Sequence, residues 1–334
     1  MLRYLMGIYF RFRSVLIVPC VYVYALYCCV IEFLLDVFCD MPLKLRADEW
    51  SKSSLLKEHP QQKRIAVMTG ADGTIGTEVS RLLLEFGFEV VIFGLRRPRL
   101  SFLKDWDRLH LLKCDLLVMN QVHKALNEFQ ERFEHVDLII FNAGVMFHPQ
   151  LEDAKAVDPH YTVNLLSHAM MFDALRPFLE KSPRTAPKVI ALSSSTLHFG
   201  DVQQFIYGNP VRAFRRYVNG YKSYCDSKLY TSLYFRYVAD VVRESRVRVA
   251  TLHPGVVPGN LYRHVFPPFR FLINHWLKFI IRKSNRAAIE VLSLAFNDRI
   301  HSGYFYEHTT SVNFEEYPQT QLQRLYEAVQ HEIR

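Results

Sequence analysis

The chain has 334 residues, half of them hydrophobic, and 41 Lys and Arg against 33 Asp and Glu give it a formal charge of +8. That length holds one large α/β domain or two small ones around a substantial core, and that apolar content excludes a disordered protein. The excess of base suits nucleic acid, an anionic membrane or a phosphorylated cofactor; the Lys and Arg are scattered, however, and no zinc-finger spacing, basic zipper or RNA-binding aromatic signature occurs, which sets nucleic acid aside.

Ser14 to Ile31 reads SVLIVPCVYVYALYCCVI, eighteen residues without a charge, and Phe33 to Phe38 extends the run past Glu32 with Asp36 as its one further interruption. This approaches the roughly 20 residues that cross a bilayer. It is longer than the core of about 7 to 15 residues of a signal peptide, and no small-residue cleavage site follows, so residues 1–40 read as an uncleaved, single-pass membrane anchor. Arg3, Arg11 and Arg13 precede it and Lys44 and Arg46 follow amid Asp36, Asp40 and Asp48, too shallow a bias to fix orientation. A polar stretch over 41–62 with Pro42 and Pro60 reads as a linker to the body of the chain. Cys20, Cys28, Cys29 and Cys39 crowd the apolar segment and only Cys114 and Cys225 fall in the body. That is neither a disulfide framework nor a metal site.

From Arg64 the run RIAVMTG ends in glycine, and TEVSRLLLEFG then places Val79, Leu82, Leu83 and Phe86 on one helical face. The pattern is strand, tight turn, helix. Between them lie Gly70, Asp72, Thr74, Ile75 and Gly76, where glycines let the backbone approach a pyrophosphate and the helix N-terminus supplies donors. Alone, such a turn is an ordinary strand-to-helix connection. Strands expected at Glu89 to Phe93, Leu109 to Cys114, Val136 to Phe141, Val189 to Leu192 and Val247 to Leu252 alternate with helical patterns. That rhythm predicts an α/β fold with a doubly wound parallel sheet, a Rossmann fold. After the second strand, where an acidic residue would bind the ribose hydroxyl of NAD, stand Arg96 and Arg97, which suit a 2′-phosphate. The expected cofactor is therefore NADP(H), with NAD(H) the alternative; a solvated surface loop is the bland reading of both arginines.

Tyr224 and Lys228 are four apart in a helical stretch and share one face. Val189 to Leu192 ends in Ser193-Ser194-Ser195, at a strand end where open α/β sheets bind ligands. Asn142-Ala143-Gly144 ends the preceding strand, and Asn164 lies on the following helix.

With Asp115 and Pro254-Gly255, these motifs occur in the order of the short-chain dehydrogenase/reductase superfamily, which the chain resembles from Arg64 to about Thr310, closest to its retinol-dehydrogenase-like group. The resemblance implies that Ser194 polarises the substrate oxygen, Tyr224 is general acid or base, Lys228 lowers the tyrosine pKa and holds the ribose, and Asn164 supports a proton-relay water. A tyrosine near its ordinary pKa of about 10 is a poor base at neutral pH, and a neighbouring cation favours its ionised form. Asp115 resembles the family's adenine-contacting aspartate, and Pro254-Gly255 the turn beside the nicotinamide. Three positions depart from the pattern: Thr74 replaces a glycine, Phe141 replaces the first asparagine of Asn-Asn-Ala-Gly, and Gly259 stands where a threonine is common. A side chain at Thr74 could crowd the pyrophosphate.

Insertions at 196–220 and 260–283 would wall a substrate site inside a catalytic domain over 63–320, followed by a tail over 321–334. The interleaved charges and apolar residues of Phe266 to Lys283 suit either an interfacial membrane helix or a helix packed on the core. The implied substrate is a lipid-soluble alcohol, aldehyde or ketone of polyprenoid, retinoid or steroid type, handled in the endoplasmic reticulum membrane or on a lipid droplet. Competing readings are a non-catalytic dinucleotide-binding scaffold and a reductase for small soluble carbonyls. No motif encodes oligomeric state, and a homodimer stands as one option.

Overall fold

The computed structural model describes residues 2–38, 48–57, 62–100, 106–149, 156–202, 213–215, 217–265, 267, 270–271, 280–308 and 310–334. Cys39, most of the segment 266–283 and the middle of the insertion 196–220 lie outside them. Helix α1 (Leu2–Phe38) comes first. Its stretch Leu16–Phe38 is long and apolar enough to cross a membrane.

One sheet holds β1 (Arg64–Thr69), β2 (Phe88–Gly94), β3 (Leu109–Lys113), β4 (Leu138–Phe141), β5 (Lys188–Leu192), β6 (Arg248–Leu252), β7 (Phe305–Glu307) and β8 (Thr310–Val312), in the order β3-β2-β1-β4-β5-β6-β7-β8. All neighbours are parallel except β7 with β8. Helices α2 (Thr74–Glu85), α3 (Met119–Arg132), α4 (Ser167–Glu180), α5 (Gly220–Val241), α6 (Ser284–Phe296) and α7 (Gln319–Ile333) complete the architecture. The strands read as apolar runs because both faces are covered. In β1, Ile65 and Val67 join one core with Phe129, Leu175 and Phe235, while Ala66 and Met68 join the other with Leu83 and Leu292. The strand order reverses between β1 and β4, the switch point at which an open α/β sheet leaves a crevice.

The five later strands expected from sequence lie within two residues of β2 to β6. β7 and β8 were not expected, because three residues each are too few to show a period. Two stretches outside the central sheet also pack on it. Within the expected linker, Trp50 and Leu55 are buried, and Trp50 packs edge-on against Phe86 and Phe296 at 5.5 Å. Each such side chain contributes about 2 kcal/mol by leaving water, so 48–57 is docked on the body. Residues 321–333 of the expected tail belong to α7, whose Leu322, Leu325 and Val329 enter the core at helical spacing.

Candidate active site

The strand ends β1, β4, β5 and β6 face a cavity of about 750 Å³. On its β1 side Gly70 has φ +64, which glycine alone adopts without strain, and a Cβ there would lie 2.8 Å from the Cα of Ala143. Asn142 fastens the same turn, its Nδ2 donating to the carbonyls of Thr69 (3.1 Å) and Gly70 (2.7 Å). α2 then begins at Thr74 with no side-chain cap from Gly73. A bare helix N-terminus beside a glycine cradle is built for an anion, so these residues fit a pyrophosphate.

Asp72, Thr74, Ile75, Asp115 and Gly144 line the cavity with this turn. Asp115 also caps its own loop, accepting from the Leu117 N–H at 3.0 Å. Gly94 and Leu95 line the cavity where β2 ends, and Arg96 and Arg97 stand exposed just beyond. Two departures from the family pattern meet in space: a Cβ at Gly259 would lie 2.3 Å from the Thr74 hydroxyl oxygen. The third departure, Phe141, stacks on His168 at 4.7 Å. His168 in turn pairs through Nε2 with the Thr69 hydroxyl at 3.0 Å, and burial pushes its imidazole down to about 3, so it is neutral.

The structure brings Ser194, Tyr224 and Lys228 to this cavity. Of the three serines, Ser193 donates to the Lys228 carbonyl of α5 at 3.0 Å and Ser195 meets the Cys28 thiol of α1 at 3.5 Å. Ser194, whose oxygen accepts from the Thr196 N–H at 3.3 Å and hydroxyl at 3.0 Å, is the one of the three that lowers the Tyr224 phenol pKa, against its burial. Asn219 starts α5 by accepting from the Lys222 N–H at 2.8 Å, which places Tyr224 and Lys228 on consecutive turns of the buried face. Lys228 donates to the Leu192 carbonyl at 2.8 Å, and its ammonium lies 5.8 Å from the Tyr224 ring centre.

Asn164 stands behind Gly144 in a π turn, Thr162–Leu166, that precedes α4. Its amide is fully engaged, accepting from the Val145 N–H and donating to the Val145 carbonyl and the Ser227 hydroxyl. A π turn is invisible to sequence periodicity and is frequent at functional sites.

One expectation is corrected. Burial pushes the Tyr224 phenol above its ordinary range, and Ser194 offsets this only in part. Lys228 does not lower it in this arrangement, because the ammonium is committed to Leu192 and is itself pushed down to about 8 by burial. Sequence reasoning also missed the α1 side chains Val21, Tyr22 and Cys29, which line the cavity together with Tyr262.

A short chain dehydrogenase family model matches residues 64–209. Polyprenol dehydrogenase of Homo sapiens is 27% identical over 223 residues, covering 62% of this chain and 64% of that one. Retinol dehydrogenase 12 of Homo sapiens is 30% identical over 209 residues, covering 60% and 64%. The match thus spans 64% of the length of both relatives. Among solved structures, a short chain dehydrogenase from Burkholderia cenocepacia J2315 in complex with NADP superposes with a TM-score of 0.51 at 21% identity, over 75% of this chain and 89% of that chain, a likeness of fold. With the glycine turn, the switch-point cavity and the buried Ser-Tyr-Lys cluster in one place, this chain is similar to the short chain dehydrogenases, and among them to polyprenol and retinol dehydrogenases.

Proposed function

We propose that the chain is an NADP(H)-dependent oxidoreductase that interconverts a lipid-soluble alcohol and its aldehyde or ketone at the endoplasmic reticulum membrane or a lipid droplet. The observation that carries this reading is the convergence of Ser194, Tyr224 and Lys228 on a cavity that also holds an anion cradle. When bound, the nicotinamide supplies the hydride acceptor or donor. Gly70, Gly76 and the α2 N-terminus would hold the pyrophosphate, Asp115 the adenine end, Pro254 and Gly255 the nicotinamide end, and Lys228 the ribose.

The chain's own residues handle the substrate oxygen and its proton. Ser194 orients the oxygen, and Tyr224 exchanges a proton with it through the phenol hydroxyl. A phenol raised by burial stays protonated at neutral pH, which equips it to donate a proton to a substrate carbonyl. The lipid character of the substrate is supported by the apolar α1 residues at the cavity and by the exposed Phe33, Val37 and Phe38 on the same helix. Polyprenol dehydrogenase and retinol dehydrogenase as relatives point to the same class of substrate. The scaffold reading loses one of its motives, since the unusual Thr74 and Gly259 compensate each other sterically. Turnover on a panel of polyprenoid, retinoid and steroid alcohols tests the proposal; cofactor binding with no turnover on any of them returns the scaffold.

Cofactor choice rests on Arg96 and Arg97. Replacing both by Ala should weaken NADPH roughly tenfold to a hundredfold relative to NADH, the loss expected for charge-assisted contacts to a phosphate. An unchanged preference in fluorescence titrations removes the assignment.

Lys228 gives a pH dependence. Its ammonium is present below a pKa of about 8 and lost above it. A cofactor that contacts the charged form therefore binds best below that pH, and kcat/KM for the cofactor should fall as pH rises through it. Lys228→Arg, charged throughout, should remove the fall.

A further inference from the structure

Glu32 and Asp36 stand four residues apart in an otherwise apolar run and share one face of α1. On a helix surrounded by lipid, two carboxylates there would be costly. Both instead reach the catalytic body. Glu32 is fully buried, its Oε1 taking a hydrogen bond from His253 Nε2 at 3.1 Å and its Oε2 one from the Val256 N–H at 2.8 Å. Asp36 pairs with Arg282 at 2.9 Å. Between these groups runs the Pro254-Gly255 turn: Gly255 has φ +96, and a Cβ there would lie 2.6 Å from Arg282 Cδ and 2.9 Å from Glu32 Oε2.

The same face continues toward the N-terminus. Cys28 meets the Ser195 hydroxyl at 3.5 Å, the hydroxyls of Tyr22 and Tyr221 are hydrogen-bonded, and Ile17 and Val21 pack on Cys225 of α5. Val21 to Leu26 and Cys29 then line the cavity that holds Tyr224. A tether that only attached the enzyme to a membrane would need none of these contacts.

We propose that α1 is a wall of the substrate pocket, that Glu32 is the positioning residue holding this wall on the His253–Val256 turn, and that the stretch Val21–Cys29 selects substrates by their apolar tail. This rests on the functional reading above. The tail of a lipid alcohol lies along Val21, Tyr22 and Leu26, while the reacting end reaches Ser194 and Tyr224. Loss of the latch therefore impairs a long substrate and spares one too short to touch the wall.

The full chain in native membranes provides the test. With Ser195→Cys and a protease site placed in 39–47, copper-phenanthroline oxidation should join Cys28 to the new thiol, so that the N-terminal fragment stays with the body after cleavage until reduced. Adding Cys28→Ser should release it. Fragments that separate after oxidation overturn the proposal whatever the enzymatic activity, whereas a chain that cross-links but turns over no alcohol indicts the functional reading instead. In a chain that does turn over alcohols, Glu32→Ala should raise KM for a long-chain polyprenol about tenfold more than that for 3-methylbut-2-en-1-ol. Glu32→Gln, which keeps an acceptor for the Val256 N–H, should recover most of the loss. Equal effects on both alcohols, or none on either, contradict the wall.

Discussion

Tyr224→Phe should lower kcat by about a hundredfold to ten-thousandfold while leaving cofactor affinity nearly intact, the range for removing a positioned acid or base. Tyr224 is almost fully buried and lines the cavity beside Ser194, so no bulk water stands ready to replace its hydroxyl. The ring itself should stay, because its edge-to-face contact with Phe147, centroids 5.8 Å apart, does not use the hydroxyl. Steady-state rates set against NADPH titration separate the two effects. The loss should fall equally on kcat and kcat/KM, since the proton moves in the transition state. A variant that keeps the parent rate moves proton transfer to another group, and Tyr262, half-buried in the same cavity wall, is the first to exchange.

Gly259→Thr should weaken NADP(H) binding by about tenfold or more, and Thr74→Gly in the same chain should restore most of it. A Cβ at position 259 would fall 2.3 Å from the Thr74 hydroxyl oxygen and 3.2 Å from its Cβ, well inside contact distance. Thr74 opens α2 and is β-branched, so its rotamer has little freedom to yield. Overpacking of this kind costs about 1–3 kcal/mol, borne here by the cofactor turn because both positions line its cavity. Positions in contact should couple by about 0.5–3 kcal/mol in a double-mutant cycle. Independent, additive losses would show that Thr74 and Gly259 do not compensate each other.

The doubly wound sheet was readable because β1, β2, β4, β5 and β6 are buried almost throughout and carry apolar runs between helical patterns. The spacing of Tyr224 and Lys228 puts them on one helix face and the strand end offers Ser193 to Ser195, but only the resemblance to the family makes them a set and singles out Ser194. What escaped was set by tertiary contact. Trp50 and Leu55 sit in a polar stretch whose docking depends on Phe86 and Phe296, far along the chain. The pairing of Thr74 with Gly259 joins positions 185 residues apart. Glu32 and Asp36 looked like interruptions in an anchor, and only the positions of His253 and Arg282 give them a role. The direction of the Tyr224 shift was misjudged because spacing reports neither burial nor the carbonyl that holds Lys228.

The central claim is that Ser194, Tyr224 and Lys228 act on the hydroxyl or carbonyl of a lipid alcohol with NADP(H). Membranes carrying the unmodified chain or Tyr224→Phe, incubated with a radiolabelled long-chain polyprenol and NADP+, test it most directly. The account predicts labelled aldehyde from the unmodified chain, in step with NADPH formed, and at most a trace from the variant. Equal aldehyde from both membranes, or none from either with polyprenoid, retinoid and steroid alcohols alike while NADP+ still binds, would contradict it.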